Sequence, residues 1–337
     1  MATVRVYLCT YRRNHLLPRA LDSLLNQTFG DWVCELHNDD PADKFPEELV
    51  RRVGDPRVAL VNHEVNYGPT RSFNGFFKPI SETYFSILED DNWWEPEFLR
   101  KMVTVLDAHP EIQLAWANMR RWIEQADGSW TDTGIDIWDR PPGAGPELFY
   151  WPQPQQLMGA LHSNGALLAR SVGFHYHAVP EDTTFAVMES FRDRTFSYPL
   201  LLVPQRLANF AMTRVTARDK APERWAHALT LLAGTFLSNT PLKGETPARL
   251  WSEAWGRGAK TTGVLFLASL AFPECRKLLK HARIRDWAFF LAYNAKHPVT
   301  FLRILRLIRT KQHQRAFLTQ HTRAWVREAR KQGDVAF

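Results

Sequence analysis

The sequence predicts an α/β fold in which a mostly parallel sheet is flanked by helices and followed by a C-terminal helical extension. In the first 120 residues, short apolar segments of strand length alternate with segments whose apolar residues recur at helical spacing. Strands that are separated by single helices are typical of a parallel sheet covered on both faces. From about residue 216 onward the strand pattern stops and helical periodicity remains.

Nine elements are predicted in the first 120 residues. The first helix shows its period most clearly, because Leu17, Leu21 and Leu24 fall on one face. Pro96 marks the start of the last helix, since proline is favoured in a first turn. The strands are predicted at residues 4–9, 32–37, 57–61, 83–88 and 113–117, and the helices at residues 14–25, 46–53, 69–79 and 96–108.

The pattern weakens between these elements and the helical extension. Residues 127–154 are rich in Gly, Pro and Trp and have little periodicity, which predicts loops over the sheet. Beyond them we predict strands at residues 163–169 and 198–203 and a helix at residues 183–192. The predicted division places residues 1–213 in one domain and residues 214–337 in a basic, mainly helical extension.

Charge is distributed unevenly about this boundary. Residues 1–213 hold 19 Lys and Arg against 28 Asp and Glu, a balance of −9, whereas residues 214–337 hold 23 against 8, a balance of +15. The basic extension is either simply solvated or binds lipid head groups, nucleic acid or an acidic partner. No nucleic acid is expected, because the aromatic residues of the extension lie at core-like spacing.

One predicted helix in the extension is both basic and apolar. Arg303, Arg306 and Arg309 lie on one side and aliphatic residues on the other. This pattern is shared by helices that lie on anionic membranes and by helices packed on a core with solvated arginines. Both interpretations stay open, and peripheral contact with an anionic membrane is one of them.

Cysteine usage and apolar runs bear on location. The three cysteines are scattered without a CxxC pair, so neither a zinc site nor a disulfide framework is predicted. No signal-peptide pattern precedes the first strand. The longest largely apolar run covers residues 264–272, including Ser269, and is far short of the roughly 20 residues that a spanning helix needs. We therefore expect a cytoplasmic protein that is at most peripheral at the inner face of the membrane.

The strongest functional pattern is a run of acidic residues at the end of a buried strand: Glu89, Asp90 and Asp91, followed by Asn92. Adjacent carboxylates repel one another, and leaving them unpaired at a buried place is costly. A divalent cation relieves that cost, and oxygen ligands suit Mg²⁺ or Mn²⁺. Such a cation can hold a diphosphate, so the sequence predicts a metal site here.

Two further segments follow predicted strands, where ligands of open α/β sheets bind. Asp39 can accept hydrogen bonds from the imide edge of a pyrimidine base, although Asp after a strand also forms turns and caps. Residues 66–71 open a helix, in which Gly68 allows close backbone approach and Arg71 is able to face a phosphate or a base.

In their order and spacing these segments resemble the family 2 glycosyltransferases. The resemblance is carried by residues 6–13, 20–29, 39–40, 66–71 and 88–92. It implies a Rossmann-like GT-A fold for the catalytic domain at residues 1–213 and a nucleotide-diphosphate sugar as donor. A UDP-sugar is favoured, with dTDP- and GDP-sugars as alternatives. The implied acceptor is a hydroxyl of a glycan or of a lipid-linked saccharide, in the synthesis of bacterial surface polysaccharide.

The resemblance also implies roles for individual residues. Carried over by position, Thr10, Tyr11 and Arg13 line the base pocket. The resemblance implies that Asp39 holds the base and that Arg71 lies nearby. It further implies that Asp90 contacts the ribose or sugar side and that Asp91 binds the metal. Two positions depart from the family pattern. Arg12 stands where Asn is usual, which leaves the base identity open, and Glu89 stands where Asp is usual.

An inverting transfer needs a general base for the acceptor hydroxyl. The family places a carboxylate at the start of a helix, and Asp182 occupies that place here. An Asp there is also an ordinary helix cap, whose pKa the helix dipole would lower. Glu189 is the second candidate, although it falls within the predicted helix.

Two other functions stay open. A nucleotidyltransferase shares a similar fold but favours a glycine-rich loop after the first strand, which residues 10–13 do not form. A non-catalytic scaffold or binding protein would be expected to lose the acidic run, which is present.

Overall fold

A computed structural model describes residues 3–141, 143–214, 221–240, 246–256 and 258–331. The chain forms two compact units. The first comprises Met1–Tyr150, His162–Ala178 and Phe196–Ala217, and the second comprises Trp151–Leu161, Val179–Thr195 and Arg218–Phe337. Two segments of the first 213 residues thus belong to the mainly helical unit. Compact units are not the same as independently folding domains, so the boundary at 213/214 stays a prediction.

The first unit is built on one sheet of ten strands. Its strands are β1 (Val4–Thr10), β2 (Trp32–Asn38), β3 (Val58–Asn62), β4 (Tyr84–Glu89), β5 (Trp93–Trp94), β6 (Leu114–Glu124), β7 (Trp130–Asp136), β8 (Glu147–Phe149), β9 (Leu167–Arg170) and β10 (Leu200–Met212). Hydrogen bonds order them β3-β2-β1-β4-β9-β6-β10-β5, with β7 paired to β6 and β8 to β10.

The helices divide between the two units. The first unit holds α1 (Leu17–Leu25), α2 (Phe45–Val53), α3 (Pro69–Phe76) and α4 (Phe98–Asp107). The second unit holds α5 (Met188–Asp193), α6 (Pro222–Asn239), α7 (Thr246–Gly256), α8 (Ala259–Ala271), α9 (Ile284–Lys296), α10 (Pro298–Thr310) and α11 (Gln312–Lys331).

The sheet confirms the predicted α/β class. Strands β3, β2, β1 and β4 run parallel, and β10 runs parallel to β6. Strand β9 is antiparallel to both of its neighbours, β4 and β6. No alternating strand and helix pattern leads into β9, so sequence periodicity does not reveal its direction.

Three predicted segments are corrected. Residues 127–154 were expected as loops but contain β7 and β8, and β7 has no buried residue whose alternation would reveal it. The strand expected at 163–169 begins at Leu167, because Asn164–Ala166 form a 3-10 turn. Strand β10 is longer than the expected 198–203, and its register with β6 shifts between Val203 and Ala208 around a proline, which cannot donate to the ladder.

The core fixes the place of the site. Val4, Val6 and Leu8 of β1 are fully buried, and the apolar face of α1 is buried at the predicted helical spacing. Strand β1 lies between β2 and β4 with parallel registers that pair Thr10 with Asn38 and Cys9 with Glu89. The carboxyl ends of these three strands therefore meet at one edge of the sheet.

The second unit is mainly helical, as the pattern after residue 216 predicts. Leu231, Leu232 and Phe236 of α6 and Leu265 of α8 are fully buried in it. In the described part of the chain, no helix combines the length and the hydropathy needed to cross a bilayer.

Candidate active site

The loop after β1 meets the end of β2 at this edge. The backbone N–H of Asp39 donates to the carbonyl of Thr10 at 3.0 Å. Arg12 adopts φ = 55°, a left-handed conformation that Asn takes more readily than Arg. Its Nε donates to Oδ2 of Asp40 at 2.6 Å, and this bond holds the pKa of Asp40 below its usual range. The ion pair thus supports an unusual backbone at the position where Arg departs from the family pattern.

Asp39 joins the end of β2 to the start of α3. Its Oδ1 accepts from the backbone N–H of Tyr67 and contacts Nδ1 of His63, both at 2.8 Å, while its Oδ2 accepts from the backbone N–H of Gly68 at 3.0 Å. Gly68 has φ = 75°, which few other residues adopt. A carboxylate offers about four acceptor positions, so most of its capacity is used. Asp39 therefore holds the segment that precedes α3, and base binding stays a prediction.

Arg71 reaches the same cluster through an aromatic ring. Its guanidinium carbon lies 4.3 Å from the ring centroid of Tyr67, and that ring stacks on His63 at 4.5 Å. Because His63 contacts Asp39, the structure brings Arg71 and Asp39 into one cluster, although no direct hydrogen bond joins the two among the described contacts.

Asp90 is buried and bound to the loop after β1. Thr10 Oγ1 donates to its Oδ2 at 2.9 Å, and Arg13 Nη1 donates to its Oδ1 at 3.2 Å. Burial and the neighbouring charge of Asp91 raise the pKa of Asp90 to about 7, against the opposing effect of Arg13. The structure therefore links Thr10, Arg13 and Asp90, three residues to which the resemblance gives roles at one nucleotide site.

Asp91 is the residue to which the resemblance gives the metal ion. Its side chain retains 17% exposure and pairs with Arg13. Within the described ranges, no three His, Cys, Asp or Glu side chains converge into a metal-binding group. Mg²⁺ is commonly bound by one or two carboxylates together with substrate phosphates, so a single partly open Asp fits such an ion when a diphosphate is present. A divalent ion would compete there with Arg13.

Glu89 and Asn92 have structural partners. Asn92 Nδ2 donates to Glu89 Oε2 at 2.6 Å, and its Oδ1 accepts from the backbone N–H of Ala211 at 2.9 Å. Gly165 lies so close that an added Cβ would stand 2.5 Å from Asn92 Nδ2. Glu89 and Asn92 therefore have structural roles: Asn92 joins the segment after β4 to β10, and Glu89 supports Asn92.

Arg19 is a site residue that the sequence did not reveal. Its Nη2 donates to the carbonyl of Asp91 at 2.8 Å, and its guanidinium carbon lies 3.9 Å from the ring centroids of both Trp93 and Trp130. Burial lowers the pKa of Arg19 to about 10. Trp94, by contrast, is buried and stacks on Phe98. Arg19 therefore holds the backbone of Asp91, the expected metal ligand, in place.

The second unit holds the predicted base. Asp182 forms an ion pair with Lys311, contacts His313 Nε2 at 2.9 Å and accepts from Gln314 Nε2 at 3.0 Å. Burial favours a higher pKa, but these hydrogen bonds outweigh it and hold the pKa of Asp182 well below its usual range. The side chains that lower this pKa lie at the start of α11 and just before it.

Glu189, the second candidate for the base, lies in the first turn of α5 and is half-buried. It belongs to the same compact unit as Asp182. The choice between the two carboxylates stays a prediction.

Comparison with known proteins finds one matching family over the N-terminal part of the chain. Residues 5–142 match the family model described as glycosyl transferase family 2. An uncharacterized glycosyltransferase of Haemophilus influenzae is 26% identical over 144 residues, which cover 41% of this chain and 44% of the relative. The glucosyltransferase WfgD of Escherichia coli, named for UDP-Glc and a GlcNAc-diphosphoundecaprenol, is 22% identical over 103 residues, which cover 31% and 40%. The chain spans less than half the length of these relatives.

Solved structures agree with the fold. Staphylococcus aureus TarS 1–349 matches with a TM-score of 0.52 and 14% identity, over 99% of this chain and 93% of that one. Its complex with UDP-GlcNAc matches with a TM-score of 0.53 and 12% identity over the same shares. At such identity the likeness shows the fold alone, which is GT-A.

Over residues 5–142 the chain is therefore similar to glycosyltransferase family 2. The narrower resemblance of residues 89–92 and 101–111 to a spore-coat polysaccharide transferase of Bacillus stays a prediction.

Proposed function

We propose that this glycosyltransferase is metal-dependent and inverting, of the hexosyltransferase type, and takes its sugar from a nucleotide-diphosphate donor. The observation that carries the proposal is Asp91, a partly exposed carboxylate at the end of β4, beside the loop after β1. Thr10 and Arg13 from that loop and Asp39 from β2 lie at the same edge. The proposal places a base, a diphosphate and a divalent ion together at this edge.

The donor is proposed to be a UDP-sugar. Support comes from the cluster of Asp39, Tyr67 and Arg71, in which Asp39 keeps part of its acceptor capacity and Arg71 supplies a cation. Tyr11, in the loop after β1, is 37% exposed and adds a second aromatic ring to the proposed base pocket. UDP also appears in the names of two TarS complexes and of WfgD. The Arg12–Asp40 pair keeps dTDP- and GDP-sugars as alternatives.

The proposed chemistry assigns the leaving diphosphate and the attacking hydroxyl to different residues. When bound, Mg²⁺ or Mn²⁺ supplies positive charge that stabilises the departing diphosphate. Asp91 holds the ion, and Arg19 fixes the backbone of Asp91. Asp182 accepts the proton of the acceptor hydroxyl. At the same time the hydroxyl oxygen of the acceptor bonds to the anomeric carbon, and the bond between that carbon and the diphosphate breaks. Attack from the opposite face inverts the anomeric configuration without a covalent enzyme intermediate.

The acceptor is proposed to be a glycan or a lipid-linked saccharide of a bacterial surface polysaccharide. Support comes from WfgD and from the putative colanic acid biosynthesis glycosyl transferase WcaA of Escherichia coli, 25% identical over 97 residues, which cover 28% of this chain and 35% of WcaA. Peripheral contact with an anionic membrane would suit a lipid-linked acceptor. The three arginines predicted to make it, Arg303, Arg306 and Arg309, are all exposed, and Arg303 also pairs with Glu223 at 3.2 Å.

A donor screen tests the proposal. Release of nucleoside diphosphate is measured for UDP-, dTDP- and GDP-sugars with Mn²⁺, with Mg²⁺ and with a chelator. We expect turnover of a UDP-sugar that the chelator abolishes. Release of inorganic pyrophosphate from a nucleoside triphosphate would instead indicate a nucleotidyltransferase, and donor binding without any release would indicate a binding protein.

Replacing Arg19 by methionine is expected to lower kcat about 10-fold to 100-fold, the range typical of groups that orient a metal ligand. The substitution removes the hydrogen bond to the Asp91 carbonyl but keeps an unbranched side chain between the two tryptophans. Rates are measured against Mn²⁺ concentration, and the apparent metal affinity should fall as well. The control is Arg100→Met, an exposed change of equal charge on α4. Equal rates for the two variants would contradict the positioning role.

A further inference from the structure

Helix α9 is apolar and yet exposed on most of its surface. Its 13 residues are all described, and Asp286 is the only one of them that is buried. Seven of the sixteen large apolar side chains exposed in the described residues lie between positions 284 and 302. We call them the α9–α10 apolar surface: Ile284, Trp287, Phe289, Leu291, Tyr293, Val299 and Leu302. Scattered exposed apolar residues are ordinary, but a concentrated group marks an interaction site.

The exposure does not come from a loosely placed helix. Asp286 accepts from Nε1 of Trp251 on α7 and from the backbone N–H of Arg283, both at 2.9 Å. Phe290 stacks on Phe266 of α8 with ring centroids 4.6 Å apart, and it also contacts Phe301 of α10. These contacts fix which side of α9 faces the unit. Ile284, 89% exposed, lies on the opposite side.

Positive charge surrounds this surface. Residues 276–315 contain eleven Lys and Arg and one acidic residue, Asp286, which is buried. The basic residues are Arg276, Lys277, Lys280, Arg283, Arg285, Lys296, Arg303, Arg306, Arg309, Lys311 and Arg315. A partner that covers the apolar side chains must therefore also meet a strong excess of cations, which selects for an anionic one.

The combination fits a lipid surface better than other partners. Two copies of the chain would bring like charges together. Single-stranded nucleic acid uses aromatic stacking, whereas the three most exposed members, Ile284, Val299 and Leu302, are aliphatic. Trp287 and Tyr293 are residues that favour the membrane–water interface. Thirteen residues are too few to span a bilayer, so α9 suits a position parallel to the membrane plane.

We propose that α9 and the start of α10 form a membrane-docking surface that inserts its apolar side chains among the head groups of an anionic bilayer, with the flanking Lys and Arg on lipid phosphates. This deepens the membrane contact named under the proposed function and gives it an apolar component. The lipid contact itself does not depend on sugar transfer, so the two can fail separately.

Vesicle flotation tests the proposal with the full chain. Vesicles of phosphatidylcholine alone are compared with vesicles that also contain phosphatidylglycerol. The wild type should float with the anionic vesicles, and Ile284→Glu/Leu291→Glu should lose at least about tenfold in partitioning. The matched control is Ile135→Glu/Val172→Glu, two exposed apolar residues of the first unit, which should float as the wild type does.

A charge-reversed pair separates the two components. Arg306→Glu/Arg309→Glu should weaken flotation, and more so than Arg327→Glu/Arg330→Glu on α11, which changes net charge equally. Loss of flotation in the arginine variant with normal flotation of Ile284→Glu/Leu291→Glu would overturn apolar insertion. The wild type could instead fail to float with either kind of vesicle and form a dimer that Ile284→Glu/Leu291→Glu disrupts. That result would overturn lipid binding and identify this surface as a protein interface. Nucleoside diphosphate release by the same variants, with a soluble acceptor, reports separately on the transferase proposal.

Discussion

Replacing Asp91 by asparagine is expected to lower kcat/KM by about a thousandfold or more. A bound metal ion contributes several kcal/mol of charge stabilisation to the leaving diphosphate, and roughly 1.4 kcal/mol corresponds to a tenfold change in rate. Asparagine keeps the shape of the side chain but removes the charge that holds the ion. Initial rates of nucleoside diphosphate release over a series of Mn²⁺ concentrations measure the effect.

The control for this substitution is Asp22→Asn, an exposed residue of α1 that undergoes the same chemical change. It should keep the rate of the wild type. Thermal unfolding of both variants shows whether the fold is kept, which matters because Arg13 loses an ion-pair partner in Asp91→Asn. A folded Asp91→Asn variant with an unchanged rate and an unchanged response to Mn²⁺ would rule out this carboxylate as the metal ligand.

Replacing Asp182 by asparagine is expected to lower kcat about a hundredfold to ten-thousandfold, the usual contribution of general base catalysis. Donor affinity, measured by calorimetry, should stay close to that of the wild type, because the proposed role concerns the acceptor hydroxyl. The neighbouring Glu181→Gln, also exposed, is the control and should retain activity. A normal rate for Asp182→Asn would transfer the proposal to Glu189, for which Glu189→Gln is the corresponding test.

The partners of Asp182 make a pH prediction. Lys311 and His313 contact the carboxylate, Gln314 donates to it, and His227 of α6, whose pKa is lowered to about 4 chiefly by burial, is affected by the same charges. In Lys311→Met the pKa of Asp182 should rise toward its ordinary value. The basic form would then appear only at higher pH, so the acid limb of the kcat profile should move upward. Lys296→Met, an exposed lysine on α9, is the control. An acid limb that does not move would contradict Asp182 as the base.

The parts of the fold that the sequence predicted are those in which burial leaves a periodic pattern. Strand β1 and helix α1 are buried on defined faces, so their apolar spacing gave both elements to within a few residues. Strand β7 pairs only along β6 and buries no residue, and it therefore left no pattern. Strand β10 was predicted too short because its run is interrupted by Pro204 and a register shift.

For the candidate site, too, the sequence predicted only what a local pattern carries. The acidic run and the loop after β1 were found because local sequence carries them, and the structure joins Thr10 and Arg13 to Asp90. Arg19 was missed because its partners lie more than seventy positions away, one in β5 and another in a segment taken for a loop. The hydrogen bonds to Asp182 were missed for the same reason, since Lys311 is 129 positions away.

The central claim is that Asp91 holds a cation that in turn holds the diphosphate of a sugar nucleotide. Calorimetric titration of a UDP-sugar into the wild type and into Asp91→Asn, each with and without Mn²⁺ or Mg²⁺, tests it most directly. We predict that the metal tightens donor binding to the wild type at least about tenfold, or roughly 1.4 kcal/mol, and has no such effect on Asp91→Asn. Equal affinity of the wild type with and without either metal, for every sugar nucleotide that binds, would contradict the account.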